Sequence, residues 1–425
     1  MQYCSLYIKN LFGLYTYFID FNASDGISII TGPNGYGKTT ILTILGSLSP
    51  DKLYYFYELK FEQIVVKLSD RSTIKISSSQ RVENVPTENS DRRQSQSKTL
   101  RIVWFDAEEK EISFFEYNPT NISKASREWR YKMYSINHRV VRNEYNRELV
   151  YTREFNEIVA HSIGQDQFLM QLEGIQTTFI RSNRIYNEAN EDNELTPVEK
   201  VQKKMMLLLQ EARSNYLLQS QRIDNEFIHQ IISTSNVDSF NKEEYLSLED
   251  EVRKQMQCLS KYQLTDKIVL PEYKKENGSA LYAYLSGLKA KYSSYGTLLH
   301  KLDTFAHLLS NKKFSSKQVE FSPMHGFRVI STDGDDIDVR KLSSGEQNEI
   351  ILLYSLIFEL SDGTILLVDE PENSLHVAWQ NGFIEDLELI TKMKKTQAIL
   401  ATHSISIASQ GEKYITDLYY LHYHD

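Results

Sequence analysis

Gly32-Pro33-Asn34-Gly35-Tyr36-Gly37-Lys38-Thr39-Thr40 is the stretch on which the reading of this chain turns. A short apolar run, Ile27 to Ile30, leads into it, and ILTILGSL, which reads as the start of a helix, leads out. Strand, glycine-rich loop and helix in that order are the setting in which such a loop holds phosphate. The glycines let the backbone curl so that successive N–H groups point inward, and the helix start adds positive potential at the same place. Residues Gly32 to Thr40 are therefore expected to cradle ATP. Lys38 is expected to bridge the β- and γ-phosphates, and Thr39 to offer its hydroxyl to Mg²⁺.

Far along the chain, Ile365-Leu366-Leu367-Val368-Asp369-Glu370 is an apolar run closed by two carboxylates. A strand without polar alternation is what a parallel sheet covered on both faces requires. Asp369, at its carboxyl end, is expected to hold Mg²⁺ through water, and Glu370 to orient and deprotonate an attacking water. The plain alternative is a strand that ends in ordinary surface acids.

The bulk properties narrow the classes. The chain has 425 residues, 41% of them hydrophobic, and a net charge of -9, so any nucleic-acid contact needs a local basic patch. Cys4 and Cys258 are the only cysteines, which excludes a disulfide framework and suits a reducing cytoplasm. The opening residues, MQYCSLYIKN, lack a basic region followed by an apolar run, and the most apolar stretch, Ile350 to Leu360, is too short to span a bilayer. No membrane association is expected.

Around the loop, CSLYIKNLF and YTYFIDF alternate as antiparallel strands do; FEQIVVKL and RSTIKIS suggest a hairpin turning at Asp70-Arg71; TLRIVWFD and EISFFEYN read as two more strands. Residues 86–98 are polar and aperiodic and read as a surface loop. The stretch 124–153 interleaves basic residues such as Arg127, Arg130 and Arg139 with Trp129, Tyr131 and Tyr145. It reads either as the solvated face of a helix or as a surface for nucleic acid or an acidic partner. Thr196, Pro197 and Glu199 announce a helix through a capping box, and apolar residues recur from Val201 through Met205, Leu208, Ala212 and Tyr216 to Phe227. Two further helical stretches are expected at 242–262 and 279–309, before strands return with QVEFSP and GFRVIS.

Leu342-Ser343-Ser344-Gly345-Glu346-Gln347 resembles the signature motif of ABC ATPases, with Ser344 in place of a glycine and Glu346 in place of the usual glutamine. The resemblance implies that Ser343 and Gly345 contact nucleotide held by the other copy of a head-to-tail dimer, or of a higher oligomer. It also makes His403, in LATHS after the apolar run Ala398 to Ala401, look like the switch histidine that senses the γ-phosphate. The same family carries a glutamine after an intermediate strand. The best match here, TTFIRSNRI, puts Asn183 at that metal-facing position, with Gln176 as the other choice and an ordinary edge strand as the bland reading.

Pro371-Glu372-Asn373-Ser374-Leu375-His376 departs from the proline-threonine run of transporter ATPases. It looks like the soluble branch that includes the OLD-type nucleases and the ATPase subunit of Septu anti-phage defence. The resemblance covers residues 1–48 and 318–410. The expected fold is α/β, an ABC-ATPase head (a P-loop sheet with an antiparallel β-subdomain) interrupted by a helical, coiled-coil-like insertion. Its parts are 1–195, the insertion 196–312, and 313–425.

The resemblance further implies an ATPase that controls a nuclease in anti-phage defence, with slow turnover where Asn183 replaces the family's glutamine. No nuclease domain is read in this sequence, so an HNH-type endonuclease is expected in trans; such ATPases also occur beside a retron reverse transcriptase with its DNA. A DNA-repair or chromosome-maintenance ATPase is the second reading, although Cys258 alone makes no zinc hook. The nucleotide-binding subunit of a transporter is the third.

Overall fold

A computed structural model describes residues 1–21, 26–85, 93–118, 153–181, 195–234, 242–311, 317–375 and 377–423. The basic stretch 124–153, apart from Arg153, and Asn183 lie outside the described residues, as does His376. The chain divides into two compact units, one made of 1–184 with 360–425 and the other of 185–359. Residues 313–359, grouped with the carboxyl-terminal lobe on sequence, thus go with the helices.

In chain order the first unit begins with β1 (Tyr3–Leu11), β2 (Tyr15–Asp20) and β3 (Ile27–Thr31), then α1 (Lys38–Gly46) and α2 (Tyr54–Glu58). There follow β4 (Gln63–Leu68), β5 (Thr73–Val85), β6 (Arg93–Phe105), β7 (Glu111–Tyr117), the helices α3 (Arg153–Ser162) and α4 (Asp166–Leu172), and β8 (Thr177–Ile180). Of the surface loop expected over 86–98, residues 93–98 belong instead to a strand, and 86–92 lie outside the described residues. Strands β5 and β6 form a long antiparallel ladder that continues to Val85 opposite Arg93. A backbone ladder needs no apolar period, so polar composition did not forbid it.

The second unit holds α5 (Pro197–Thr234), α6 (Lys242–Lys261), α7 (Gly278–Ser293), α8 (Gly296–Asn311), β9 (Lys317–Ser322), β10 (Gly326–Ser331), β11 (Asp336–Ile337) and α9 (Ser344–Tyr354). The capping box at the start of α5 forms as its residues dictate: Thr196 N–H donates to Glu199 Oε2 at 2.8 Å and Glu199 N–H donates back to Thr196 Oγ1 at 3.4 Å. Val201, Met205 and Leu209 are buried, whereas the stripe from Leu208 to Ile223 is only half-buried. The single helix expected over 279–309 is two helices. Buried Tyr295 stacks on Tyr216 at 5.1 Å and donates through its hydroxyl to Leu264 O at 3.1 Å, and Gly296, a weak helix former, starts α8.

Helix α5 lies against β10, where Gln202 Nε2 donates to Phe327 O at 2.7 Å. Gly326 makes that approach possible: its φ is +69°, and a Cβ there would stand 2.2 Å from Gln202 O. Gly326→Ala is therefore expected to destabilise this unit by roughly 2–4 kcal/mol through overpacking and left-handed strain. Chemical denaturation of the variant checks this; an unchanged midpoint would show that the backbones separate at no cost.

The first unit resumes with β12 (Ile365–Asp369), α10 (Phe383–Lys394), β13 (Gln397–Ala401), the short α11 (Ile405–Ala408), β14 (Ile415–Asp417) and α12 (Leu418–Tyr423). One sheet is parallel, in the order β14-β3-β13-β12-β8. The other is antiparallel, in the order β2-β1-β4-β5-β6-β7. Every residue of β12 and β13 is buried, which explains the apolar runs Ile365–Val368 and Ala398–Ala401 within them. A single apolar core joins both sheets and α1: Leu6, Ile41, Leu45, Ile64, Phe115, Leu367 and Ile399 all belong to it. The fold is α/β, an ABC-ATPase-like head with a helical insertion. Among the described residues no helix is long and apolar enough to cross a membrane.

Candidate functional site

In an open parallel sheet, ligands bind beyond the carboxyl ends of the strands. Strands β3, β12 and β13 end together here, because Ala401 pairs with Asp369 on one side and with Ile30 on the other. Their last residues deliver the glycine-rich loop, the Asp369-Glu370 pair and the Thr402-His403-Ser404 turn to one edge.

The loop has the backbone its glycines permit. Gly37 caps α1 with φ +87°, and a Cβ at that position would lie 3.3 Å from Leu11 Cδ2. Tyr36 is tied in from two sides: its carbonyl accepts from the Tyr17 hydroxyl at 3.0 Å, and its ring lies 5.4 Å from that of Tyr15. Lys38 is buried, and its ammonium donates to Gly32 O at 2.9 Å and Pro33 O at 3.2 Å. Burial lowers its pKa below the ordinary lysine value, against the opposing pull of Glu370, Asp369, Glu372 and Asp417. Pro33, Asn34 and Gly35 are exposed along the loop, and Thr40 is half-buried in the first turn of α1.

Thr39 Oγ1 donates to Asp369 Oδ1 at 3.0 Å, joining residues 330 apart in sequence. Burial raises the pKa of Asp369 above the ordinary aspartate value; the Thr39 hydroxyl opposes the shift, while Glu370 and Glu372 add to it. A hydroxyl and a carboxylate converging where burial penalises the bare anion form the hard-oxygen set that suits Mg²⁺. The donor chemistry fits.

Glu370 sits at φ +44°, in the left-handed region that costs a residue with a side chain about 1–2 kcal/mol. Its N–H donates to Ala401 O at 2.8 Å, and its Oε2 accepts from Asn373 Nδ2 at 2.5 Å. Its Oε1 lies 3.8 Å from His403 Nε2. Both side chains line an open cleft of about 590 Å³ together with Asn34, Glu372, Asn373, Gln380 and Ser404. Backbone strain held in place by a neighbouring strand marks positions where geometry matters more than stability.

In sequence, Glu372 stands out only as part of a run that departs from transporter ATPases and resembles the OLD and Septu branch. In the structure it accepts from Thr402 Oγ1 at 2.8 Å, His403 N at 2.6 Å and Ser404 N at 3.2 Å. Nothing in the local sequence announces this, because the donors come from another strand end. Gln176 does not reach the site: its carbonyl accepts from Ile365 N at the amino end of β12, and Thr177 is the register partner of Ile365. Four strand steps, about 13 Å, separate that end from Asp369. Among the described residues, strand β8 is an edge of the sheet.

In the second unit, Ser343 caps α9. Its hydroxyl accepts from Glu346 N at 3.3 Å and donates to Glu346 Oε2 at 3.0 Å, and Ser343 N donates to the same oxygen at 2.9 Å. The glutamate that replaces the usual glutamine is thus the other half of a capping box, and Lys317 pairs with its Oε1 at 2.7 Å. Burial pushes the Glu346 pKa up, but Lys317 and the Ser343 donors more than offset that and hold it below the ordinary glutamate value. Ser343 is exposed and Gly345 half-buried in the first turn.

A glycine-rich loop between a parallel strand and a helix, with a buried aspartate bonded to its threonine, defines a P-loop nucleotide-binding protein. The chain belongs to the AAA ATPase domain family, whose model matches residues 1–408. No curated protein sequence matches it. Among solved structures, it is similar to an SMC head bound to the C-winged helix domain of ScpA, at 11% identity over 96% of this chain and 91% of that one, with a TM-score of 0.37. It is also similar to the Pyrococcus furiosus Smc head with an extended coiled coil bound to the C-terminal domain of ScpA (12% identity, 96% and 91% covered, TM-score 0.34). The SMC head domain of Thermotoga maritima matches at 11% identity, with 96% and 92% covered and a TM-score of 0.34. Identities this low speak for no shared function.

Proposed function

We propose that this ATPase binds ATP in the Gly32–Thr40 loop, hydrolyses it through Glu370, and acts as a head-to-tail dimer controlling a nuclease supplied in trans in anti-phage defence. The hydrolytic part rests above all on the cleft that gathers Glu370 and His403, 3.8 Å apart, beside Asn34 of the phosphate loop. The ammonium of Lys38 exchanges its bonds to Gly32 O and Pro33 O for phosphate oxygens. Thr39 and Asp369 would hold Mg²⁺, which would supply positive charge to neutralise the phosphates. Glu370 takes the proton of the attacking water, and His403 donates to the γ-phosphate. By the resemblance to ABC ATPases, Asn183, which lies outside the described residues, would serve that metal and water.

Ser343 and Gly345 of one copy complete the site of the other, with the amino-terminal dipole of α9 directed at the γ-phosphate. The defence assignment is supported by the resemblance of Glu372 and the Ser374-Leu375-His376 ending to the Septu branch. The partner is an HNH-type endonuclease, or a retron reverse transcriptase with its DNA, and the assembly works in the cytoplasm. Purifying the protein from its native operon tests this. A small HNH protein, or a reverse transcriptase with bound DNA, is expected to co-purify in stoichiometric amount, and the HNH protein is expected to cleave DNA in a nucleotide-dependent way. Membrane-spanning subunits, or chromosomal DNA-repair partners, in its place would sink the defence reading.

A further inference from the structure

Two turns carry the groups assigned above to hydrolysis. One is Pro371–Ser374, a single helical turn that begins directly after Glu370. The other is Thr402-His403-Ser404, which leaves β13. Each turn would be free to drift if only strands β12 and β13 held it, because the ladder between them stops at Asp369 and Ala401. One backbone bond extends it, from Glu370 N to Ala401 O at 2.8 Å. Past that point, the joining group is a side chain.

We propose that Glu372 is the positioning residue of this site, fixing the imidazole of His403 against the carboxylate of Glu370; this rests on the hydrolytic reading of those two residues. The Glu372 carboxylate spans the turn it faces. Oε1 accepts from two successive backbone N–H groups, His403 at 2.6 Å and Ser404 at 3.2 Å. Oε2 accepts from the Thr402 hydroxyl at 2.8 Å. That hydroxyl in turn accepts from Ser404 N at 2.9 Å, which closes the network. Glu372's own turn is set at its other end by Asn373, whose Nδ2 holds Glu370 Oε2 at 2.5 Å.

Three donors converge on the two oxygens of one side chain, and hydrogen bonds to a carboxylate are the stronger kind. All of these bonds lie within the protein and join the turn that follows Glu370 to the turn that carries His403. Glu372 therefore acts on the chemical step and not on affinity. A misplacement of about 1 Å of a reacting group costs about 100-fold in rate.

The test is steady-state and single-turnover ATP hydrolysis by the full chain, with nucleotide affinity measured in parallel. Glu372→Ala is expected to lower kcat about 100-fold while KM and the Kd for ATP stay within about twofold. Glu372→Gln should recover most of the loss, because its amide oxygen still serves the His403 and Ser404 N–H pair while the amide nitrogen donates to Thr402 Oγ1. Added to Glu370→Gln, Glu372→Ala should slow the residual rate no further, as expected of groups that act as one unit.

The proposal is overturned if Glu372→Ala keeps its kcat, if it weakens ATP binding as much as turnover, or if Glu372→Gln folds well yet is no better than the alanine variant. Should Glu370→Gln itself hydrolyse ATP at the normal rate, the reading of the site fails and this proposal falls with it. Should only Glu372 prove dispensable, the site stands and its positioning is done by the backbone alone.

Discussion

Glu370→Gln is expected to lower the rate of ATP hydrolysis by about 1000-fold, or about 4 kcal/mol in the barrier, while leaving ATP binding intact. The substitution keeps the shape of the side chain and removes its capacity to accept a proton. Glu370 is half-buried and bonded to Asn373 Nδ2, so the amide of glutamine can occupy the same place with its oxygen toward Asn373. It also removes one of the four carboxylates that face Lys38 and one of those that raise the pKa of Asp369, so an attraction lost at the lysine is set against a repulsion relieved at the aspartate. With chemistry blocked and binding retained, the ATP-bound dimer should persist. Size-exclusion chromatography with ATP and Mg²⁺ should show the variant as a dimer under conditions where the parent returns to monomer. Normal turnover by Glu370→Gln would remove the carboxylate from the role assigned to it.

Lys38→Ala should act on the other side of the cycle, weakening ATP binding by at least about 100-fold, about 3 kcal/mol. The ammonium is the buried cation of the loop, already desolvated and held within reach of phosphate by Gly32 O and Pro33 O. Part of the cost of stripping it of water is thus met during folding, and its charge is felt by phosphate in a medium of low effective dielectric. Alanine leaves those two carbonyls without their donor and leaves Glu370, Asp369, Glu372 and Asp417 without the cation they face. Repulsion of an incoming triphosphate by Glu370 and Asp369, the two carboxylates that act most on the lysine, adds to the lost attraction. Titration calorimetry with a slowly hydrolysed ATP analogue measures the effect. A Kd within about threefold of the parent would mean that backbone N–H groups carry phosphate binding without the lysine.

Much of this molecule could be read from residues in order. The loop Gly32–Thr40 is legible because its requirement is local: glycines where the backbone turns to positive φ, then a helix. The strands Ile365–Val368 and Ala398–Ala401 are legible because burial on both faces leaves no room for polar alternation. The start of α5 is legible because Thr196 and Glu199 satisfy each other within one turn. These are short-range rules of backbone conformation and solvation, and sequence states them directly.

Contacts between distant segments needed the folded chain. Thr39 meets Asp369, and Glu372 meets His403, because parallel strands from opposite ends of the sequence end at one edge. The break at Tyr295 depends on a ring of α5 waiting beside it, and the extension of β6 back to Arg93 depends on its partner strand. Glu346 looked like a flawed signature residue; Lys317 and Ser343 make it a buried, fully bonded cap. Local propensity and patterning belong to neighbours in the chain, whereas pairing partners are chosen by sheet order and packing, which no single segment encodes.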